Sequence, residues 1–137
     1  VLPRFVQQAL KNLPITVYGD GTQTRCFGHV SDVVHALSDL VKNPNAVGEV
    51  FNIGNDERVS IKELAKLVIE ISESSSQLKF IPYEGIYEGR FDDMQHRVPD
   101  LGKIQRLIGY KPQMNLRQTI TSVVNHYSQP DANFDIF

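Results

Sequence analysis

The chain has 137 residues, of which 41% are hydrophobic and 22% charged, a composition typical of one globular domain with an ordinary core. Its net charge of -2 and its isoelectric point near 6.1 exclude a general nucleic-acid-binding surface, so any anion site must be local. A single cysteine, Cys26, excludes an intrachain disulfide and favours a reducing, cytoplasmic compartment. No apolar run approaches the roughly 18 residues that span a bilayer, so we expect no membrane contact.

The first residues indicate where the chain sits in its natural context. The sequence begins at Val1, and Pro3 opens an apolar-periodic segment at once. This pattern is typical of a cut made just before a helix, and we therefore expect the chain to be part of a longer protein.

The first third of the chain alternates between helical and extended patterns. Proline in the first turn and apolar residues on one face predict a helix, and a β-rich run follows it before a glycine turn. Ser31 is predicted to cap the next helix, which Asn43-Pro44-Asn45 ends. The predicted elements are a helix at Leu2–Asn12, a strand at Ile15–Tyr18, a turn at Gly19-Asp20-Gly21, a short strand at Cys26–Val30 and a helix from Ser31 to about Lys42.

The rest of the chain continues this alternation. Ser60 and Glu63 form a capping box, while Asp100 and Asn115 are predicted to cap the last two helices. Residues 82–99 have no clear period, and a loop of this length is usually functional or mobile. The predicted elements are strands at Glu49–Ile53 and Leu78–Ile81, and helices at Ile61–Glu73, from Asp100 through Ile108, and at Leu116–Tyr127.

These elements predict an α/β fold, with α+β character if the chain stands alone. Residues 1–128 are predicted to form one domain and residues 129–137 a frayed tail. No internal repeat is present.

The sequence carries no complete catalytic constellation. There is no Gly-x-Gly-x-x-Gly fingerprint, because Gly19 and Gly21 have no third glycine and no predicted helix directly after them. A Walker A loop and a Gly-x-Ser-x-Gly elbow are also missing, and no tyrosine has a lysine four positions later. The four histidines lack zinc-site spacing, so no metal site is predicted.

The main functional prediction depends on two arginines that lie far apart in sequence. Arg25 follows the glycine turn and has apolar neighbours, and Arg97 lies just before Pro99, which restricts the conformation of Val98. Guanidinium groups suit bidentate recognition of phosphate or carboxylate, so two of them converging would hold a nucleotide diphosphate. The alternative for Arg25 is a hairpin with a surface arginine.

Other polar residues each have a structural alternative. Asp100 is first a helix cap, although a capping carboxylate can also accept a sugar hydroxyl. Tyr18 is either a platform for a base or a core tyrosine. His96 is a ligand contact or a surface histidine, and Asp92 and Asp93 are interpreted as a solvated loop face.

Several motifs together resemble the NAD-dependent epimerases/dehydratases, the extended short-chain dehydrogenases/reductases that act on nucleotide sugars. The resemblance covers residues 1 to about 128 in order and at family spacing. The motifs that carry it are residues 14–34, Val50-Phe51-Asn52-Ile53-Gly54, the Ser60 capping box, Arg97-Val98-Pro99-Asp100 and Leu107-Ile108-Gly109-Tyr110-Lys111-Pro112.

This resemblance implies a small substrate-binding lobe that lacks most of the Rossmann domain. By motif, Arg25 and Arg97 would hold the diphosphate and Asp100 the ribose hydroxyls. NAD would be bound mainly by the missing N-terminal domain, against which Cys26–Leu37 and Val50–Ile53 would lean. The resemblance also assigns a nucleoside pocket, partly through backbone groups, to Val1, Leu2, Thr16, Val17 and Tyr18.

The resemblance further implies oxidation of a sugar by NAD to a keto intermediate, followed by epimerisation, dehydration or decarboxylation and return of the hydride. The long 82–99 loop differs from the shorter linker expected in UDP-glucuronate decarboxylases, which places a UDP-sugar 4-epimerase ahead of a decarboxylase or an NDP-sugar 4,6-dehydratase. The longer parent would be an isomerase or lyase and could form a homodimer. This chain alone would be inactive. The alternatives from other classes are a non-catalytic nucleotide-sugar-binding module and a structural domain with degenerate arginines.

Overall fold

A computed structural model describes residues 1–82 and 94–129 of the chain. Its helices and strands alternate along most of the sequence, as the α/β prediction requires, and every element is short. In chain order they are α1 (Leu2–Leu10), β1 (Ile15–Tyr18), β2 (Thr24–Cys26), α2 (Val30–Val41), a 3-10 turn (Pro44–Ala46), β3 (Arg58–Ser60), α3 (Ile61–Ile71), β4 (Leu78–Ile81), α4 (Gly102–Ile108) and α5 (Leu116–Tyr127).

Two pairs of strands organise the backbone. β1 and β4 run parallel with Ile15 opposite Leu78, and β2 and β3 run antiparallel with Arg25 opposite Val59. A parallel pair needs a long crossover, which here includes α2 and α3. The second pair places β2 beside the start of α3, at the edge of the larger core.

The larger core lies where α1, α3 and α5 pack against one another and against β1. Its centre is fully buried, with Phe5, Leu64 and Ile120 each at 0% exposure. Within each of the three helices the buried residues recur at helical spacing, so the amphipathic faces predicted from the sequence are the faces that meet. A smaller cluster links α2 to α4 through Ala36, Ile104 and Tyr110.

Capping interactions determine where two of the helices begin. The Ser60 hydroxyl accepts the Glu63 backbone N–H at 3.1 Å, and the Glu63 carboxylate accepts the Ser60 backbone N–H at 3.2 Å. Asn115 and Gln118 make the same reciprocal pair at the start of α5. The predicted capping box, the predicted Asn115 cap and the bounds predicted for β1, β4 and α5 are confirmed.

The prediction of a strand at Glu49–Ile53 is wrong for this structure. A strand exists only through hydrogen bonds to a neighbouring strand, and residues 49–53 have no such neighbour in the described part of the chain. Phe51 and Ile53 pack instead against the smaller core, while Val50 is 83% exposed.

Other boundaries also differ from the prediction, and α1 and α3 each end two residues earlier than predicted. The second strand is Thr24–Cys26 rather than Cys26–Val30, because its partner β3 pairs with that stretch. His29, not Ser31, caps α2, its ring accepting the Ser31 backbone N–H at 3.2 Å. Leu101 is the cap position of α4, although the Asp100 carboxylate does accept the Gly102 N–H at 2.8 Å.

Two further predictions fall partly outside the described residues. The 82–99 loop, with Asp92 and Asp93, is described only at its ends, and the predicted tail is described only at Gln129. Across residues 1–82 and 94–129, none of the helices has both the length and the apolar character needed to cross a bilayer.

The tight turn at Gly21 provides a test of the packing between β1 and α3. Gly21 has φ +75°, and an added Cβ would lie 2.9 Å from Val17 Cγ1 and 3.0 Å from Lys62 Cβ. Gly48 has a similar φ of +76°, but a Cβ added there would have no atom within 4 Å. Gly48→Ala therefore measures the cost of the backbone conformation without crowding. We expect Gly21→Ala to lower the free energy of unfolding by about 1–3 kcal/mol more than Gly48→Ala, measured by urea denaturation. Equal losses would contradict crowding at Gly21.

Candidate functional site

An open cavity of about 580 Å³ lies where three segments meet. The first is β2 with the irregular stretch that follows it, the second is the stretch 52–55, and the third is the stretch 97–100. Val33 of α2 completes the lining. Both arginines singled out from the sequence, Arg25 and Arg97, line this cavity together with Asp100.

Arg25 is held by the backbone around it. It is the middle residue of β2, and its Nη1 donates to the carbonyl oxygen of Thr24 at 2.7 Å and to that of Met94 at 2.9 Å. The guanidinium is therefore oriented by the protein at the cavity edge.

The stretch 94–97 lies alongside β2 and brings Arg97 to the same cavity. The Thr24 backbone N–H donates to the Gln95 carbonyl oxygen at 2.8 Å, and the Thr24 hydroxyl lies 2.9 Å from His96 Nδ1. The Cys26 thiol reaches the Arg97 carbonyl oxygen at 3.5 Å. Three consecutive residues of β2 thus fix a segment about 70 positions away in sequence, as the Thr24–His96 separation of 72 shows.

His96 contacts β2 and not the cavity. It is exposed, and its ring bonds to Thr24 rather than lining the cavity. Its contact therefore fixes the stretch 94–97 against β2.

Asp100 lies at the opposite end of the third segment. Its Oδ1 accepts the Gly102 backbone N–H at 2.8 Å, and its backbone carbonyl accepts the side-chain N–H of Asn52 at 3.1 Å. Its Oδ2 has no hydrogen-bond partner among the residues that the structure describes. Asp100 therefore acts at the start of α4 with one oxygen while the other remains available to a ligand.

The back wall of the cavity, residues 52–55, is a part of the site that the sequence did not assign. Asn52, Gly54 and Asn55 line the cavity, as does Gly28 from the other side. The two glycines pack closely, since a Cβ on Gly28 would lie 3.1 Å from the Gly54 Cα. The signal that pointed to this wall was the motif at residues 50–54, which carried the resemblance but no site role.

The charges of the cavity favour an anion. Two guanidinium groups and one carboxylate line it, and no ion pair between described residues involves Arg97. An anion placed between two arginines would gain charge-assisted hydrogen bonds from both. The Cys26 thiol also lines the cavity, and burial raises its pKa, so it stays protonated at neutral pH.

The five residues predicted for a nucleoside pocket lie outside the lining of this cavity. The side chains of Leu2 and Val17 are in the larger core, and Val1 is exposed. The Thr16 hydroxyl accepts from the Gln8 amide at 3.0 Å, and the Tyr18 ring lies 4.7 Å below the Arg4 guanidinium. Their role at a nucleoside remains a prediction.

The glycine turn after β1 does not fit a dinucleotide. In a phosphate-binding loop the glycines leave room for the ligand and a helix begins directly after them. Here the space above Gly21 is occupied by Val17 and Lys62, and the chain continues into β2. This turn therefore does not form a phosphate-binding loop, and the described residues contain no cluster of side chains suited to a metal ion.

Comparison with known proteins identifies a family. A family model described as GDP-mannose 4,6 dehydratase matches residues 1–123. UDP-glucuronic acid decarboxylase 2 of Arabidopsis thaliana is 40% identical over 129 residues, which are 94% of this chain and 27% of that protein. UDP-N-acetyl-alpha-D-glucosaminuronate decarboxylase of Bacillus cytotoxicus is 34% identical over 130 residues, 94% of this chain and 40% of that protein.

Solved structures agree. The crystal structure of UDP-glucuronic acid 4-epimerase from Bacillus cereus, in complex with UDP-glucuronic acid and NAD, superposes with a TM-score of 0.81 at 27% identity. The match covers 93% of this chain and 39% of that one. The chain thus spans less than half the length of the proteins that it matches, and it belongs to the NAD-dependent epimerases/dehydratases of the extended short-chain dehydrogenase/reductase family.

Proposed function

We propose that this chain is the substrate-binding part of an NAD-dependent nucleotide-sugar enzyme, and that Arg25 and Arg97 together hold the diphosphate of a UDP-sugar. The observation that carries this proposal is that both arginines line one cavity, where contacts between β2 and the stretch 94–97 bring them together. Asp100, on the same cavity, would accept the ribose hydroxyls with its second carboxylate oxygen.

The chain contributes binding and orientation to the reaction. Each charge-assisted bond from an arginine to the diphosphate contributes on the order of 1.5–3 kcal/mol, and this energy positions the sugar for chemistry elsewhere. The sequence has neither a Tyr-x-x-x-Lys pair nor a dinucleotide fingerprint. We therefore propose that a Rossmann domain in the longer protein binds NAD and supplies the catalytic base.

The sequence placed a UDP-sugar 4-epimerase ahead of a decarboxylase, and the comparisons support both equally. Several relatives at 34–40% identity are named decarboxylases, whereas the 27% identical structure is a 4-epimerase. The names of two of these proteins include UDP-glucuronic acid, which makes it the substrate to test first. Decarboxylation would release CO₂ and leave a UDP-pentose, whereas 4-epimerisation would leave an isomer of unchanged mass. A nucleotide-sugar-binding module without turnover remains the alternative of another class.

An exposed apolar stripe supports a second domain. Val30, Val34, Leu37 and Val41 follow one another along α2 at helical spacing and are between 50% and 87% exposed. Val47 and Val50, just beyond α2, are each 83% exposed. Monomeric proteins rarely leave such a contiguous surface open, so we propose that the Rossmann domain covers it.

The diphosphate clamp is tested by comparing UDP with UMP in calorimetric titrations of the natural gene product that contains this chain. We expect UDP to bind more tightly, and we expect Arg25→Ala and Arg97→Ala each to weaken UDP binding by about 10-fold or more while changing UMP binding less. The matched control is Arg117→Ala, which removes an arginine paired with Glu70 away from the cavity. Equal affinity of the unaltered protein for UDP and UMP would reject the clamp.

Asp100 is tested by separating the ribose from the diphosphate. We expect Asp100→Ala to weaken UDP binding by roughly 10-fold, because an acceptor for the ribose hydroxyls is lost. Inorganic pyrophosphate lacks the ribose and should bind the variant as tightly as, or more tightly than, the unaltered protein, since a negative charge has been removed. If titration shows that the binding of UDP and of pyrophosphate is weakened equally, Asp100 acts only through the local fold.

The apolar stripe is tested with two leucines of equal exposure. Leu37 on α2 and Leu13 after α1 are each 50% exposed. We expect the 137-residue chain by itself to self-associate, and we expect Leu37→Lys to suppress this association while Leu13→Lys does not. Sedimentation velocity measures the effect. A monomeric chain, or the same response to both substitutions, would remove this support for a covering domain.

A further inference from the structure

The back wall of the cavity, residues 52–55, must be held in place from outside. It is irregular backbone without a strand partner among the described residues, so no ladder of hydrogen bonds fixes it. Yet Asn52, Gly54 and Asn55 line the cavity, and Gly54 packs directly against Gly28 on the other side. A small displacement of this wall would therefore change the shape of the site.

The stretch 110–116, which follows α4, provides the external support. The Tyr110 hydroxyl donates to the Gly54 carbonyl oxygen at 2.7 Å, and the Asn55 side-chain N–H donates to the Met114 carbonyl oxygen at 3.2 Å. Farther along, the Leu116 backbone N–H donates to the Glu57 carboxylate at 3.1 Å. The wall is thus bonded at successive points to a segment that lines no part of the cavity.

This supporting segment is itself fixed to α2. The Met114 backbone N–H donates to the Asp32 carboxylate at 3.3 Å, and Asp32 is only 3% exposed. Next to Asp32, Val33 lines the cavity. A connection therefore runs from α2 through Met114 to Asn55, joining two sides of the site behind its surface.

Tyr110 is the member of this network that is best placed to control the wall. Tyr110 is 7% exposed and lies in the smaller core with Ala36 and Ile104, so packing fixes the position of its hydroxyl. The hydroxyl bonds directly to a residue that lines the cavity, whereas Tyr110 itself does not line it.

We propose that Tyr110 is a positioning residue for the nucleotide-sugar site, its hydroxyl holding the Gly54 carbonyl and thereby the wall 52–55 of the cavity that the two arginines also line. This inference rests on the proposed function for its ligand, but the contact that it describes is independent of any ligand.

The test is Tyr110→Phe in the natural gene product, which removes the hydroxyl and keeps the ring packing. We expect hydrogen exchange of the Glu57 amide to accelerate about 2- to 10-fold, because one bond holding the stretch 52–57 is lost. This amide donates to the Asn55 side-chain oxygen at 2.7 Å, so its exchange rate reports on the position of the wall. Exchange in α1, α3 and α5 should stay unchanged. The dissociation constant for UDP should rise by a similar factor.

The control is Tyr127→Phe, which removes the hydroxyl of another buried tyrosine, located on α5 in the larger core. It should change neither UDP binding nor exchange in residues 52–57. Unchanged UDP binding in Tyr110→Phe, or the same effects in both variants, would overturn the proposal. Failure of the unaltered protein to bind UDP would instead reject the proposed function and the site role with it. The exchange data would then still decide whether the Tyr110 hydroxyl holds the wall.

Discussion

The candidate site depends on the contact between β2 and the stretch 94–97. Thr24, Arg25 and Cys26 each bond to that stretch, through a backbone N–H, a guanidinium and a thiol. Without these bonds Arg97 would have no defined relation to Arg25. Two guanidinium groups on one cavity repel each other, and a bound dianion would offset that repulsion. The same contact that brings the arginines together therefore produces a site that favours an anion.

α2 connects the parts of the molecule through its different faces. Asp32 and Ala36 are buried, the first bonded to the supporting stretch and the second in the smaller core. Val33 faces the cavity, and the apolar stripe defined above remains exposed. A single helix thus joins the candidate site, the support of its back wall and the surface that we propose a second domain covers.

The equal support for a decarboxylase and a 4-epimerase has a physical basis. Diphosphate and ribose are common to all UDP-sugars, and the two arginines and Asp100 are the residue types that bind those groups. The reaction depends on groups that surround the sugar ring and on the cofactor. If this chain mainly binds the nucleotide end, as we propose, its residues carry little information on which bond is broken.

The elements that the sequence predicted well are those that local interactions determine. The capping boxes at Ser60 and Asn115 are confirmed because their partners lie three residues away, and the strands Ile15–Tyr18 and Leu78–Ile81 are confirmed because their β-rich runs end at turn residues or proline. The sequence also singled out Arg25, Arg97 and Asp100 from their neighbours and from a resemblance. Only the tertiary structure decided that residues 49–53 form no strand, that β2 lies at Thr24–Cys26, and that Asn52 to Asn55 form the back wall held by Tyr110. Each of these depends on whether a partner dozens of residues away is in place, and local propensity does not describe hydrogen bonds that form only once the chain has folded.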